Sequence, residues 1–330
     1  MGNEGLQRVV VLSDLHLGDE GAMLSHREVV ERLVGELEEL GDIDMLVLLG
    51  DVWDLWRADL ATAARAGEAF FQVMSAWRGP REMVLVVGNH DYHLRSYWEE
   101  RNLRRYMGWE EAEDGSVILL DDTLAGGGDH PGAGLALRLT YPFLSLEVRG
   151  KTLLFMHGHH LDFFSPSFWW AKTSWMARWI LGSSQAITIS DLDRLNKPFF
   201  ELLTVTAHVP ELVAREYGFY RLLRSVARLL RFQSKSGSSP RRYTSVESNR
   251  REARALLGEL LPGYIPDALV FGHTHQEGFG RIRVGERGVL LVNSGCWLQE
   301  NGERRGGTYL VIEDGIRMRL LGGPESTITI

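Results

Sequence analysis

The chain contains 330 residues, of which 44% are hydrophobic and 24% are charged. This composition is ordinary for a globular protein and excludes the disordered, collagen-like and coiled-coil classes. The formal net charge of -8 does not favour non-specific binding to a polyanion, so nucleic acid is a disfavoured partner. A chain of this length fits one large α/β domain with an insertion, or two domains.

Cysteine content and hydropathy indicate the compartment. The single cysteine, Cys296, excludes an intramolecular disulfide and a zinc site built of thiolates. Residues 1–7 are polar and lead directly into an apolar run, so they lack the pattern of a secretory signal. No apolar run approaches the roughly 20 residues that cross a bilayer. We therefore expect a cytoplasmic protein that can contact the inner face of a membrane without crossing it.

The first part of the chain alternates apolar runs with segments of helical periodicity. The runs predict strands at 8–13, 44–50 and 83–88, and the periodic segments predict helices at 25–40 and 60–78. Strands that alternate with helices in this way predict a mainly parallel sheet with right-handed crossovers. The run at 44–50 is too apolar to alternate, which is typical of a strand buried on both faces.

Shorter elements follow, and further strands come in the last part of the chain. Their predicted bounds are 95–106 for a helix, and 117–121, 135–140, 144–149, 151–156, 268–272, 279–284, 288–293, 307–312 and 316–321 for strands. A segment of different composition separates the two groups of strands. We therefore divide the chain into a first part of the core at 1–160, a helical insertion at 161–262 and a second part of the core at 263–330.

Two unusual segments lie in the predicted insertion. Residues 163–182 contain four tryptophans, and residues 221–231 carry four arginines at helical spacing. The aromatic segment fits a lid packed on its own domain, a surface for acyl chains or the membrane interface, or a platform for stacking nucleobases. The basic stripe fits a solvated helix face or a contact with anionic headgroups. The sequence leaves these interpretations open.

Five apolar runs are each followed by side chains that can bind a cation or transfer a proton. In chain order, these side chains are Asp14 and His16, then Asp51 and Asp54, then Asn89, His90 and Asp91, then His157, and finally His273 and His275. Loops at the carboxyl ends of parallel strands share one edge of an α/β sheet. We therefore expect these groups to converge there.

The order of these motifs resembles that of the calcineurin-like metallophosphoesterases. The motifs are Asp14-X-His16, Gly50-Asp51, Gly88-Asn89-His90-Asp91, His157 and Gly272-His273-Thr274-His275. The resemblance covers residues 9–160 and 265–298. It implies an α/β fold in the form of a four-layer α-β-β-α sandwich, here with a helical insertion.

The resemblance also implies two divalent metal ions. It assigns the first ion to Asp14, His16, Asp51 and His275, and the second to Asp51, Asn89, His157 and His273. Asp51 is then the bridge, because its two oxygens can each serve one ion. Mixed carboxylate, imidazole and amide ligands suit manganese, and also iron, cobalt, zinc or nickel, better than magnesium. Two such ions about 3.5–4 Å apart acidify a shared water and clamp the attacking and leaving oxygens.

Several further roles follow from the same resemblance. His90 is a non-ligand that faces the scissile phosphate and protonates the leaving oxygen, and Asp54 hydrogen-bonds it and raises its pKa. His159 is expected near the metals, either as a ligand or through its backbone. Two other residues are expected to support the site, Asp91 by bracing its loop and Asn293 by ordering the turn near the metals.

The substrate is predicted from a closer resemblance. The segment Gly50-Asp51-Val52-Trp53-Asp54-Leu55-Trp56 and the His157-Gly158-His159 pattern resemble the UDP-2,3-diacylglucosamine hydrolases. Those enzymes cleave the pyrophosphate of a nucleotide-linked lipid, although they typically carry arginine at the position of His90. We predict a phosphoesterase or pyrophosphatase whose phosphate-ester substrate is lipid-linked. A nuclease or cyclic-nucleotide phosphodiesterase is the alternative, and a non-catalytic scaffold for a membrane or a partner is a third.

Overall fold

Strands of two sheets alternate with a few helices along the chain. The computed structural model contains, in the first half, β1 (Val9–Leu12), α1 (Arg27–Glu38), β2 (Ile43–Leu48), α2 (Leu60–Trp77), β3 (Pro80–Val86), β4 (Ser116–Leu119), β5 (Ala136–Thr140), β6 (Leu144–Val148) and β7 (Lys151–Phe155). The second half contains α3 (Arg250–Ala255), β8 (Ala268–Phe271), β9 (Gly278–Val284), β10 (Arg287–Asn293), β11 (Gln299–Glu300), β12 (Glu303–Arg304), β13 (Thr308–Ile312), β14 (Gly315–Leu320) and β15 (Glu325–Thr329). The sequence predicted these strands except β11, β12 and β15.

The structure describes part of the chain. The described residues are 5–77, 79–95, 116–119, 136–164, 189, 197, 200, 245–300, 303–304 and 306–330. Most of the predicted helix at 95–106, most of the tryptophan-rich segment and all of the basic stripe at 221–231 lie outside them. Among the described helices, none combines the length and the apolarity that a bilayer crossing requires.

The larger sheet has eight strands in the order β15-β14-β13-β1-β2-β3-β5-β4. Its centre, β1-β2-β3-β5, is parallel as the sequence predicted. The prediction of a mainly parallel sheet is wrong for both margins, where β13, β14, β15 and β4 run antiparallel to their neighbours. For β13 and β14, the reason is connection length. Only Glu313 and Asp314 separate β13 from β14, and a link that short can join only antiparallel strands.

The smaller sheet has five strands in the order β6-β7-β8-β10-β9. Its central strands β7, β8 and β10 are parallel, and β6 and β9 pair antiparallel at the edges. Residues 156–267 connect β7 to β8, which are direct neighbours in the sheet. The chain therefore leaves this sheet after β7 and returns beside it, which suits the proposed insertion at 161–262.

The sheets stack face to face between helices. Val10 and Leu12 of β1 pack with α1 and α2, whereas Val9 and Val11 point to the opposite face and pack against the smaller sheet. The outer face of the smaller sheet is covered by a third apolar cluster that includes Ala253 of α3. This arrangement confirms the four-layer α-β-β-α sandwich, and it explains why the central strands are apolar on both faces.

The outer helical layer provides a test of this packing. Leu33 of α1 is 0% exposed against the larger sheet, whereas Leu60 at the start of α2 is 51% exposed. We expect Leu33→Ala to lower the free energy of unfolding by about 2–5 kcal/mol through cavity formation. The same change at Leu60 should cost less than about 0.5 kcal/mol. Urea denaturation followed by circular dichroism measures both, and equal losses would contradict this packing.

Candidate metal centre

The predicted site residues converge at the carboxyl ends of strands from both sheets. Backbone hydrogen bonds join the loops, since the Asp14 N–H donates to Gly50 O at 3.1 Å and the Gly272 N–H to His157 O at 2.9 Å. A third bond crosses between the sheets, from the His273 N–H to Asp14 Oδ2 at 2.9 Å. The expectation of one sheet edge is therefore corrected, because two stacked sheets contribute facing edges.

Five of the predicted ligands have an unusual backbone conformation. Their φ angles are positive, at 55° for Asp14, 51° for His16, 51° for Asp51, 64° for His273 and 55° for His275. Residues with a side chain seldom adopt this left-handed region, and such strain persists where surrounding contacts fix it. The loop-to-loop hydrogen bonds supply those contacts. Strained, well-braced loops of this kind are typical of functional sites.

Two motif glycines make room for the carboxylates. A Cβ on Gly88 would overlap the Asp51 side chain, and a Cβ on Gly272 would overlap Asp14 and Ser13. The glycines of the Gly88-Asn89 and Gly272-His273 motifs are therefore required by close approach. Any larger residue would displace a carboxylate from the centre.

The first group able to hold a metal ion comprises Asp14, His16 and His275. The Nε2 atoms of His16 and His275 lie 3.1 Å apart. The His275 Nε2 atom also lies 3.2 Å from Asp14 Oδ1. Two imidazole nitrogens and a carboxylate oxygen at this spacing fit a borderline divalent cation.

The second group comprises Asp51, His157 and His273. The His157 Nε2 atom lies 3.2 Å from Asp51 Oδ2 and 3.1 Å from Asn89 Oδ1. Asp51 also belongs to a third group with His16 and His90, and its Oδ2 atom lies 3.9 Å from His16 Nε2. Asp51 thus lies between the first and second groups, where a bridging carboxylate must be.

Hydrogen bonds orient the imidazoles. The His157 Nδ1–H donates to Leu49 O at 2.9 Å, which leaves Nε2 as the atom that faces Asp51 and Asn89. His273 is held differently, because its Nε2–H donates to Asp162 Oδ2 at 3.0 Å and leaves Nδ1 as the lone-pair atom. Such second partners fix the tautomer of a metal-ligating histidine.

Sequence reasoning missed Asp162. An acidic residue five positions after His157 was a weak signal, because its partner His273 is 111 residues away along the chain. The short 3₁₀ helix His159–Phe164 brings the Asp162 carboxylate to that imidazole. Only the folded turn identifies the pair.

Asp54 holds two imidazoles at once. Its Oδ1 atom accepts from His90 Nδ1 at 2.8 Å, which agrees with the predicted contact, and its Oδ2 atom accepts from His16 Nδ1 at 3.1 Å. Burial disfavours the charged form of His90, but the carboxylates of Asp54 and Asp51 outweigh it and raise its pKa. Burial likewise opposes ionisation of Asp54, yet His90 and His16 hold the pKa of Asp54 well below its usual range.

The buried carboxylates favour positive charge in the centre. Burial opposes the ionisation of Asp14 and Asp51, but nearby imidazoles, His157 first, hold the pKa of each carboxyl below its usual value. Burial disfavours the His157 cation, but Asp51 and Asp14 raise its pKa to about 10. A proton and a divalent cation therefore compete for the same place, so metal affinity must fall as the pH falls.

Supporting residues occupy the places that the sequence predicted. Asp91 braces its loop by accepting from the N–H groups of Val52 at 2.8 Å and Gly88 at 2.7 Å. Its burial, with the nearby Asp51 charge, raises the pKa of Asp91 to about 7. Asn293 donates to Gly272 O at 3.1 Å and so orders the turn that carries two of the histidines.

His159 lies beside the centre, and its expected ligand role stays a prediction. Its ring centroid is 5.6 Å from that of His157. Among the described residues, neither ring nitrogen has a hydrogen-bond partner, and burial followed by repulsion from His160 holds the pKa of His159 well below its usual range. Within the described ranges, it belongs to none of the groups able to hold an ion.

The centre reaches solvent at two histidines. The side chains of His90 and His273 are 16% and 17% exposed, whereas those of Asp14 and His157 are fully buried. Among the described residues, these two histidines form the open face of the centre. The expected acid, His90, lies on this open face.

The chain matches one protein family and is similar to solved structures. The family described as calcineurin-like phosphoesterase matches residues 7–277. A dimetal phosphatase from Danio rerio is similar at 14% identity and a TM-score of 0.43, with 99% of each chain covered. A conserved uncharacterized protein from Streptococcus pneumoniae TIGR4, described as a predicted phosphoesterase, has 15% identity and a TM-score of 0.32, with 98% of each chain covered. No curated protein matches the sequence.

The Asp162–His273 pair provides a test of the second group. We expect Asp162→Ala to weaken binding of one of two manganese ions about 10- to 100-fold, because His273 loses the bond that fixes its tautomer. The change Asp314→Ala, which removes a surface carboxylate, is the control and should leave the affinity intact. Isothermal titration calorimetry measures both. An unchanged affinity in Asp162→Ala would show that the pair does not orient a ligand.

Proposed function

The chain belongs to the calcineurin-like phosphoesterases, and from this premise we propose that it hydrolyses a phosphodiester or phosphoanhydride with two divalent metal ions. One observation carries the proposal. The third group able to hold an ion shares His16 with the first group and Asp51 with the second, and it adds His90 on the open face. Two cation sites beside a proton donor are what a phosphoryl transfer to water requires.

In this proposal, each ion has its own ligand set. The first set is Asp14, His16, Asp51 and His275, and the second is Asp51, Asn89, His157 and His273. Manganese suits this mixture of oxygen and nitrogen ligands. Two such ions would supply positive charge for the phosphoryl oxygens and a hydroxide nucleophile at neutral pH.

His90 acts as the acid in this scheme. Because its Nδ1 atom is bonded to Asp54, its Nε2 atom is left for the substrate, and this atom lies 3.9 Å from Asp51 Oδ2. As the bond from phosphorus to the leaving oxygen breaks, Nε2 donates its proton to that oxygen. The product leaves as an alcohol or a phosphate, and the neutral imidazole regains a proton from water.

We further propose a nucleotide-linked lipid as the substrate, of the UDP-diacylglucosamine type. The segment Gly50–Trp56 and the tryptophan-rich sequence at 163–182 support this substrate, and the basic stripe at 221–231 suits peripheral contact with anionic lipid at the cytoplasmic face. Release of UMP and a lipid phosphate from such a compound is the direct test. Equal or better turnover of cyclic nucleotides or single-stranded DNA would reject the lipid.

The metal requirement is tested first. Chelation should abolish hydrolysis of a chromogenic phosphodiester, and added manganese should restore it. Asp51→Asn should abolish turnover even with manganese, because an amide cannot bridge two ions as a carboxylate does. Spectrophotometric assay and elemental analysis of the dialysed protein measure activity and metal content. Full activity of Asp51→Asn, or inactivity of the native chain with every divalent metal, would reject the proposal.

His90 is expected to act without binding metal. His90→Ala should slow hydrolysis of a phenyl phosphodiester by about 10²-fold, since phenolate is a poor leaving group that needs a proton. Hydrolysis of a 4-nitrophenyl ester should slow much less, and the His90→Ala protein should retain both metal ions. Loss of metal from His90→Ala would assign His90 to the ligands instead.

A further inference from the structure

Trp56 lies flat against the expected acid. The ring centroids of Trp56 and His90 are 4.0 Å apart and their planes differ by 24°, which is a stacked geometry. His16 approaches the same imidazole edge-on, with centroids 4.8 Å apart and planes at 89°. The His90 ring therefore has three contacts. Trp56 stacks on one face, His16 meets it edge-on, and Asp54 accepts a hydrogen bond from Nδ1.

We propose that Trp56 is a positioning residue that sets the plane of the His90 imidazole and so directs Nε2 at the leaving-group oxygen. This role rests on the proposed function. A single hydrogen bond at Nδ1 fixes one atom of the ring but lets the ring tilt about that bond. The flat indole restricts the tilt, because an out-of-plane rotation of the imidazole would drive one of its edges into the indole face.

One turn supplies both constraints. Asp54 and Trp56 are two residues apart, and the N–H groups of Arg57 and Ala58 donate to Asp54 O at 3.2 and 3.0 Å. The hydrogen bond and the stacking face therefore come from a single closed turn and move together. This coupling fixes the ring more firmly than two contacts from separate loops would.

Trp56 also contacts apolar and aromatic residues other than His90. It packs against the apolar layer between the larger sheet and the helices. Phe200 of the predicted insertion lies 6.1 Å away, with ring planes that differ by 23°, and Tyr92 lies 4.7 Å from Phe200. The indole therefore lies near other aromatic rings as well as His90.

The dependence of kcat on the leaving group distinguishes a positioning role of Trp56 from a merely structural one. Trp56→Leu should lower kcat for a phenyl phosphodiester by between about 10- and 100-fold, as expected for a misplaced catalytic group. It should change kcat for the 4-nitrophenyl ester far less, because nitrophenolate leaves without a proton. Trp56→Phe keeps a flat face and should recover most of the phenyl-ester activity. Equal losses on both esters would indicate a merely structural residue and overturn the proposal.

A double-mutant cycle tests whether Trp56 acts through His90. In a His90→Ala background, Trp56→Leu should cause no further loss on the phenyl ester, because the group that it positions is gone. The matched control is Trp77→Leu, since Trp77 packs against the same apolar layer and shows no described contact with His90. Trp77→Leu should leave the ratio of the two ester rates unchanged. Additive losses of Trp56→Leu and His90→Ala would overturn the positioning role.

Nuclear magnetic resonance gives a readout that is independent of activity. In the protein loaded with diamagnetic zinc, the indole ring current should shift the His90 ring protons upfield, and Trp56→Leu should remove that shift while the manganese stoichiometry, measured separately, stays the same. Unshifted His90 protons in the native chain would overturn the stacking.

If the native chain lacks metal-dependent hydrolysis, the proposed function fails and this role fails with it. If the native chain and His90→Ala behave as expected and Trp56→Leu slows both esters alike, only the positioning role fails.

Discussion

The carboxylates of Asp14 and Asp51 are buried between the two sheets close to one imidazole, and their negative charge requires a counter-charge. Charges removed from water are costly unless they are paired. The loops at the sheet edges meet this requirement by placing histidine nitrogens around both carboxylates, even where the backbone must adopt positive φ. Stacking the carboxyl edges of two sheets is what makes this concentration of charge possible.

Asp54 is a further buried carboxylate that is paired with imidazoles, and one of these belongs to His90, the expected acid. Its two oxygens orient His16, an expected ligand, and His90, the expected proton donor. The imidazole that is to meet the substrate is therefore fixed by the carboxylate that also fixes a ligand. Trp56, from the same turn, adds a flat constraint to that imidazole. One short segment in this way orients both the expected metal ligand and the expected proton donor.

The sequence predicts the central strands and the convergence of the motif residues because both depend on local signals. Buried strands are continuous apolar runs, and the motifs follow them directly. Other features depend on contacts between distant segments. Asp162 meets His273 across 111 residues, and β15 has mostly exposed residues and so no apolar pattern. Trp56 is the last residue of the Gly50–Trp56 motif, but only the folded turn shows that it stacks on His90.

The proposed function requires two cations lying between these side chains. Crystals grown with manganese and measured at its absorption edge give the most direct test through anomalous scattering. The proposed centre predicts two anomalous peaks about 3.5–4 Å apart, one among Asp14, His16 and His275 and one among Asn89, His157 and His273, with Asp51 between them. A single peak outside these groups, or no peak at saturating manganese, would contradict it.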